Sequence, residues 1–271
     1  MTILQAIILG IIQGATEFIP VSSSGHLVLA PELFGWQFST KEAFVFDVLS
    51  QVATLFAVIV YFRDTLFQIA RASIFGVLSG KPFHNDQAKL GWLLLLSTLP
   101  AGVIALLFKN VFVQSFSEPK AASIFLIGTA FFLVTAELFK RKSRPLSDIS
   151  WKDSLWIGFF QIFALFPGIS RSGSTISGGM FRGFNRKSAA DFSFLMSVPI
   201  LFASGILAVA ELIQMPNWFS LLPIYMIGFL TSGLVGYFVI RWLLAYLSQK
   251  SLIPFALYCL VLSGLSFMFL T

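Results

Sequence analysis

The chain has 271 residues and a formal net charge of +6, and 57% of its residues are hydrophobic against 11% charged. Because so few polar side chains cannot cover a folded surface in water, the composition excludes a soluble globular protein. Long continuous apolar stretches favour a helical membrane protein over an outer-membrane β-barrel, whose strands alternate apolar and polar residues.

In chain order, the first apolar region, 3–35, is interrupted near its middle by Pro20 and a run of small residues ending in Gly25 and His26. Proline disfavours helix at the residue before it, and the serines that follow compete for backbone hydrogen bonds. The pattern recurs at Pro167 in the apolar region 154–181. We predict that each region forms a re-entrant hairpin of two half-length helices.

Six further segments are long and apolar enough to cross about 30 Å of hydrocarbon as helices. They are residues 44–62, 90–108, 121–139, 189–210, 222–240 and 252–270. The predicted fold class is therefore an all-α polytopic membrane protein, with six full transmembrane helices and two re-entrant helical hairpins in a single membrane domain, 1–271.

The two halves of the chain resemble each other. Gly10 and Gln13 recur as Gly158 and Gln161, and Ser22-Ser-Ser-Gly recurs as Ser170-Arg-Ser-Gly, all at an offset of 148. We predict a first repeat at 1–140 and a second at 152–271. Because each half contains three full spans, an odd number, the second repeat should be inverted relative to the first.

Lys and Arg are distributed unevenly between the two predicted faces. Loops 63–89, 140–153, 182–188 and 241–251 lie on one face and carry 14 of the 18 basic residues. The positive-inside rule makes this face cytoplasmic and places both termini outside. The distribution accounts for the positive charge without a nucleic-acid partner, and none is expected.

Charged side chains inside apolar segments are costly and mark functional sites. Here Glu17, His26 and Arg171 lie at or beside the two breaks. If the broken tips of the hairpins meet near the midplane, Arg171 should face Glu17 and His26. A buried Glu17–Arg171 ion pair that only joins the two halves is the structural alternative.

Such a meeting point would offer free backbone N–H groups, several serine hydroxyls and a guanidinium, which together suit phosphate oxygens. A histidine beside them can move protons, and a serine could be an activated nucleophile. The candidate phosphate-binding residues are Ser22, Ser24, Gly25, Ser170, Ser172, Gly173 and Ser174.

Glu17 would repel a bare phosphate, and a bound Mg²⁺ or Ca²⁺ would explain its presence. Gln13, one turn earlier on the same helical face, could add a carbonyl oxygen or hold Glu17 in place. Asp47 begins the first full span and is either a further metal ligand or a helix-end charge.

At these residues the sequence resembles the undecaprenyl-diphosphate phosphatase family, also called the bacitracin-resistance protein family. The family motif (Glu/Gln)-x-x-x-Glu is matched from Gln13 to Glu17, and Pro-Val-Ser-Ser-x-Gly-His from Pro20 to His26. The motif Pro-Gly-x-Ser-Arg-Ser-Gly-x-Thr is matched from Pro167 onward. The resemblance covers nearly the whole chain. Many members have Glu where this chain has Gln13, which implies one carboxylate fewer in the metal site.

The resemblance implies that the protein removes the terminal phosphate of undecaprenyl diphosphate with the help of a divalent cation. It implies Ser23 as the nucleophile, Glu17 as the base or a metal ligand, His26 as proton donor or alternative nucleophile, and Arg171 as the phosphate clamp. It also implies a multi-pass protein of the bacterial cytoplasmic membrane, with its active site towards the outer, periplasmic side.

Two questions stay open at this point. Broken helices at the midplane of an inverted repeat also form the substrate sites of secondary transporters, so a lipid-phosphate flippase or transporter is the alternative function. Four glycines, Gly128, Gly228, Gly233 and Gly236, could support close helix packing within one chain or between the subunits of a homodimer.

Overall fold

A computed structural model describes residues 1–108, 111–112, 119–139, 143–214 and 218–269. Within these ranges the chain forms eleven α-helices and a short 3-10 turn at Leu146–Asp148. The helices are α1 Ile3–Thr16, α2 Ser23–Leu33, α3 Thr40–Tyr61, α4 Arg63–Leu78, α5 Asp86–Leu107, α6 Pro119–Leu138, α7 Trp151–Phe163, α8 Arg171–Phe181, α9 Arg186–Leu212, α10 Trp218–Leu247 and α11 Ile253–Phe269.

Five of these helices, α3, α5, α6, α9 and α10, are long and apolar enough to span a membrane. Each coincides with a predicted full span, so the prediction of an all-helical, multi-pass membrane protein is confirmed. The sixth predicted span, 252–270, coincides with α11, a shorter apolar helix of 17 residues. Residue 270 lies outside the described part of the chain.

Helix is interrupted at both predicted breaks. Helix α1 ends at Thr16 and α2 begins at Ser23, while α7 ends at Phe163 and α8 begins at Arg171. Within each region the two short helices contact each other. Both regions therefore bring a non-helical segment, which ends in a buried serine, into the interior of the molecule.

Helix α4 lies within residues 63–89, where the sequence predicts a loop, and that prediction is wrong for Arg63–Leu78. Arg63, Asp64 and Arg71 lower the hydropathy of this stretch below that of a span. Its sixteen residues nevertheless form a helix that packs against α5. Most of its large apolar side chains, including Phe67 and Leu78, remain exposed to the surroundings.

Glycines let the two broken regions pack closely against spanning helices. A Cβ atom on Gly10 would lie 2.7 Å from the carbonyl oxygen of Gly228, and one on Gly158 would lie 2.3 Å from that of Ser97. Gly10 and Gly158 are equivalent positions of the two halves. Gly233 and Gly236 face Ala53 and Phe18 of the same chain. These glycines therefore support packing within the chain, which does not test the homodimer.

One end of the second broken region is held by a buried carboxylate. Asp153, in the first turn of α7, accepts hydrogen bonds from Arg144 at 2.9 Å and Arg182 at 2.6 Å and is 1% exposed. Burial alone would raise the pKa of Asp153, but the hydrogen bonds from Arg144, Ser150 and Arg182 outweigh it. They hold this pKa well below its ordinary value of about 3.8.

We expect Asp153→Asn to lower the free energy of unfolding by about 2 kcal/mol near pH 7, because two partly buried guanidinium groups lose their counter-charge. Since the folded-state pKa is depressed, this contribution is complete above the ordinary carboxyl pKa and is lost as pH falls towards the folded-state value. The difference in melting temperature between wild type and variant, measured in detergent from about pH 7 down to about pH 3, should therefore stay constant down to about pH 4 and narrow below it.

The control is Asp148→Asn, which alters an exposed carboxylate five residues earlier. It should leave the melting temperature unchanged. A difference between wild type and Asp153→Asn that stays constant from neutral to acid pH would contradict the assignment.

Candidate functional site

The first break places Glu17 beside Ser23. The Ser23 hydroxyl donates a hydrogen bond of 2.7 Å to Glu17 Oε2, and the Gln13 amide donates one of 2.9 Å to the same oxygen. Gln13 reaches Glu17 because it lies one turn earlier on the same face of α1. Glu17 is only 7% exposed, so these donors replace most of its hydration.

The second break supplies the counter-charge. Arg171, the first residue of α8, donates through Nη2 to Glu17 Oε1 at 2.6 Å and through Nη1 to the Ser193 carbonyl at 3.1 Å. The two breaks, 154 positions apart in the chain, are thus joined by a mostly buried ion pair. The sequence-based expectation that Arg171 faces Glu17 agrees with this geometry.

The helices that follow the two breaks begin in the same way. The Ser22 hydroxyl accepts from the Gly25 N–H at 3.2 Å, and the Ser170 hydroxyl accepts from the Gly173 N–H at 3.0 Å. A serine hydroxyl satisfies one of the amides left unpaired at a helix N-terminus. Two helix N-termini, each with a positive partial charge, are therefore close to the Glu17–Arg171 pair.

Close packing of the second break against α6 depends on Gly168. Its φ of +98° lies in the left-handed region, and a Cβ atom here would be 2.2 Å from the Ala122 carbonyl oxygen. Thr129 of α6 fixes the same segment, because its hydroxyl donates to the Gly168 carbonyl at 2.7 Å and accepts from the Ser170 N–H at 2.8 Å. The second break is thus held in place from α6.

A cavity of about 190 Å³ lies between the breaks. Its apolar wall comes from α5, α9 and the second break. The polar residues that line it are Glu17, Ser22, Ser23, Ser24, Gln51, Gln161, Ser170, Arg171 and Ser204. The cavity is large enough for a phosphate group and offers it a guanidinium and several hydroxyls.

The remaining predicted phosphate-binding residues do not line this cavity. Gly25, Ser172, Gly173 and Ser174 are buried in helix packing, and the Ser174 hydroxyl donates to the Arg171 carbonyl of its own helix. They lie in the first turns of α2 and α8. In this structure these residues form part of the helix N-termini and not of the cavity wall.

Two predicted site residues lie away from the cavity. His26 bonds through Nδ1 to the Ser22 carbonyl and through Nε2 to the Tyr258 hydroxyl, each at 2.7 Å. Asp47 is not a lining residue, although Gln51, one turn later in α3, is. Neither side chain reaches the cavity in this arrangement.

Gln161 was assigned no role from the sequence, although it lines the cavity. It is 3% exposed, and neither its amide nitrogen nor its amide oxygen has a hydrogen-bond partner. An unpartnered buried amide is costly and points to a missing ligand or water. The internal repeat could have indicated this position for Gln161, because Gln161 is the equivalent of Gln13.

The donor atoms suit a hard divalent cation. The Glu17 carboxylate accepts from the Ser23 hydroxyl and from the Gln13 amide nitrogen, and the Gln13 amide oxygen is buried without a hydrogen-bond partner. The carboxylate, the hydroxyl and this amide oxygen are the candidate ligand atoms. All are oxygen ligands, which Mg²⁺ and Ca²⁺ prefer. Among the described residues no three His, Cys, Asp or Glu side chains cluster as a metal site. A cation here would therefore share its coordination with ligand oxygens.

Fold and site together define a multi-pass helical membrane protein with an internal cavity, lined by serine hydroxyls, a carboxylate and a guanidinium, between two helix breaks. Comparison with known proteins is consistent with this class. The family described as bacitracin resistance protein BacA matches residues 6–265. The chain therefore belongs to the BacA family.

Curated relatives cover almost the same length. The chain is 41% identical to the undecaprenyl-diphosphatase of Chlorobium phaeobacteroides (strain BS1), over 97% of this chain and 95% of the relative. It is 39% identical to that of Chlorobaculum tepidum over the same shares. It is 36% identical to that of Myxococcus xanthus (strain DK1622), over 98% of this chain and 88% of the relative.

We expect Thr129→Val to destabilise the second break, because it leaves the Gly168 carbonyl and the Ser170 N–H without their buried partner. The loss in unfolding free energy should be about 2 kcal/mol, seen as a lower melting temperature in detergent. Thr135→Val in the same helix is the matched control, since that hydroxyl bonds only within α6. Equal melting temperatures for the two variants would refute the role given to Thr129.

Proposed function

We propose that this chain hydrolyses undecaprenyl diphosphate to undecaprenyl phosphate and inorganic phosphate. The observation that carries the proposal is the contact of the Ser23 hydroxyl with Glu17, itself paired with Arg171 across the two breaks. A nucleophile (Ser23), a base (Glu17) and a phosphate-binding guanidinium (Arg171) are thereby held in one cavity. The relatives named undecaprenyl-diphosphatase, similar over nearly their whole length, supply the substrate.

Arg171 is suited to bind the terminal phosphate. Its described hydrogen bonds use one N–H on each terminal nitrogen, and a guanidinium carries five N–H donors in all. The remaining donors can meet phosphate oxygens while the ion pair with Glu17 persists. Ser22, Ser24 and Ser170 add hydroxyls from the cavity wall, and Gln161 adds an amide free of protein partners.

The chemical step begins with Ser23. Its oxygen attacks the terminal phosphorus as Glu17 Oε2 accepts the hydroxyl proton, and the bond from phosphorus to the bridging oxygen breaks. The electron pair of that bond leaves with undecaprenyl phosphate. Water then cleaves the phosphoserine, which releases inorganic phosphate and restores the Ser23 hydroxyl. Arg171 stabilises the charge on the transferred group in both steps.

A Mg²⁺ or Ca²⁺ ion would be held by Glu17, with Gln13 and Ser23 as neighbouring oxygen donors. When bound, it would neutralise the charge of the diphosphate oxygens. Asp47 is a less direct candidate, because it does not line the cavity.

The proposed topology is that of an inverted repeat, with six full spans and two re-entrant hairpins. The two short-helix pairs α1–α2 and α7–α8, with their equivalent serine caps, support it. The distribution of Lys and Arg supports a cytoplasmic-membrane protein whose termini and active site face the periplasm. In this setting the reaction regenerates the lipid carrier for peptidoglycan and other envelope polymers, and it counters bacitracin, which sequesters the diphosphate.

Detergent-purified protein should release phosphate from undecaprenyl diphosphate, and from the shorter farnesyl diphosphate, only when Mg²⁺ or Ca²⁺ is present. Removing the cation with a chelator should abolish release, and adding it back should restore it. Arg171→Ala should reduce kcat about 10³-fold, because charge on the transferred phosphoryl group loses its stabilisation. Glu17→Gln should be similarly impaired, because Ser23 loses its proton acceptor.

Arg63→Lys and Glu32→Gln, which alter exposed side chains, are the controls and should retain wild-type rates. Folding is checked by melting temperature for every variant. No release from folded wild-type protein with any cation would contradict the phosphatase and favour a transporter of lipid phosphates.

The covalent route through Ser23 has its own test. Rapid-quench samples should contain phosphorylated Ser23, detected by mass spectrometry of the peptide, and Ser23→Ala should reduce turnover about 10³-fold. If turnover is retained in Ser23→Ala and no phosphoserine is trapped, then water attacks the phosphorus directly.

A further inference from the structure

The backbone just before the proposed nucleophile is strained. Ser22 has φ 71° and ψ 94°, and it is the only non-glycine residue with a positive φ in the described part of the chain. Such a conformation costs on the order of 1 kcal/mol or more and persists only where neighbouring groups enforce it. Because Ser23 is the next residue, the same conformation sets the direction of its hydroxyl.

His26 holds the strained Ser22 through two hydrogen bonds to its carbonyl. The Ser22 carbonyl accepts from the backbone N–H of His26 at 3.2 Å and from its ring Nδ1 at 2.7 Å. A carbonyl can only accept, so the hydrogen of the neutral ring is on Nδ1. The other ring nitrogen, Nε2, then has a free lone pair that needs a donor.

Tyr258 of α11 supplies that donor. Its hydroxyl lies 2.7 Å from His26 Nε2, and the two rings are parallel to within 1°. The contact joins residues 232 positions apart, from the second and the last α-helix. A hydroxyl donating to Nε2 selects the tautomer with hydrogen on Nδ1, which is the form that can bond to Ser22.

We propose that Tyr258 is a positioning residue for the phosphatase reaction. It fixes the tautomer and orientation of His26, which holds the Ser22 carbonyl, and Ser22 in turn aims the Ser23 hydroxyl at Glu17. His26 acts in this arrangement as a support for the backbone and not as a proton donor to the substrate. The kinetic part of the inference rests on the function proposed above, whereas its structural part does not.

The test is Tyr258→Phe, which keeps the ring and removes the hydroxyl. The kcat for undecaprenyl diphosphate should fall about tenfold, because a misdirected nucleophile slows the chemical step. KM should stay within about twofold, because Arg171 and the cavity hydroxyls still bind the phosphate. In a His26→Ala background, Tyr258→Phe should cause no further loss, since the two residues act through one chain of contacts.

A spectroscopic measurement separates positioning from general stability. The chain has two histidines, and His84→Gln leaves His26 as the only one to be observed by ¹⁵N NMR of histidine-labelled protein. With Tyr258 present, the spectrum should show the single tautomer with hydrogen on Nδ1. With Tyr258→Phe, it should show exchange between the two tautomers.

The matched control is Tyr246→Phe, which removes a hydroxyl that donates to the Ser251 carbonyl near the end of α10. It should change neither kcat nor the His26 spectrum. A wild-type kcat in Tyr258→Phe would overturn the inference. A lower kcat with an unchanged His26 spectrum, or additive losses in the double variant, would also overturn it. If wild type itself releases no phosphate, the proposed function fails, and the spectra still decide whether Tyr258 fixes His26.

Discussion

The arrangement of this protein depends on one ion pair, between Glu17 and Arg171. A carboxylate or a guanidinium alone in an apolar interior would be costly, so each needs the other close by. Their contact of 2.6 Å joins two segments from opposite halves of the chain. The same contact leaves one carboxylate oxygen for Ser23 and part of the guanidinium for a phosphate. The charge pair therefore has both a structural and a chemical consequence.

The pair can form only because the surrounding backbone approaches so closely. Gly10 and Gly158 let α1 and α7 pack directly against the backbone of spanning helices, and Gly168 turns where any side chain would collide with α6. Breaking a helix inside a membrane frees polar backbone groups, and these are satisfied here by serine caps and by Thr129. Small and hydroxyl side chains are thus needed for the same reason in both halves.

The role proposed for Ser23 as a nucleophile depends on how firmly its hydroxyl is held. Ser23 follows a strained residue, and strain persists only where the surroundings enforce it. His26 and Tyr258 provide that support from outside the cavity, while Gln13 steadies Glu17 from one turn away. A site held in this way loses little entropy when the substrate binds, which is the requirement for positioning a weak nucleophile such as serine.

The amino-acid sequence alone was sufficient to predict the membrane environment, the five long spans, both helix breaks and the contact of Arg171 with Glu17. The spans and the breaks follow from hydropathy and from proline and glycine chemistry, which are local properties of the sequence. The ion pair follows from the cost of buried charge and requires a single long-range contact. Helix α4 was missed because its charges lower its hydropathy. The sequence did not predict that Gln161 lines the cavity or that His26 turns away from the cavity to Tyr258. The orientation of these two side chains depends on which distant residues lie within hydrogen-bond distance. No local pattern in the sequence indicates those residues.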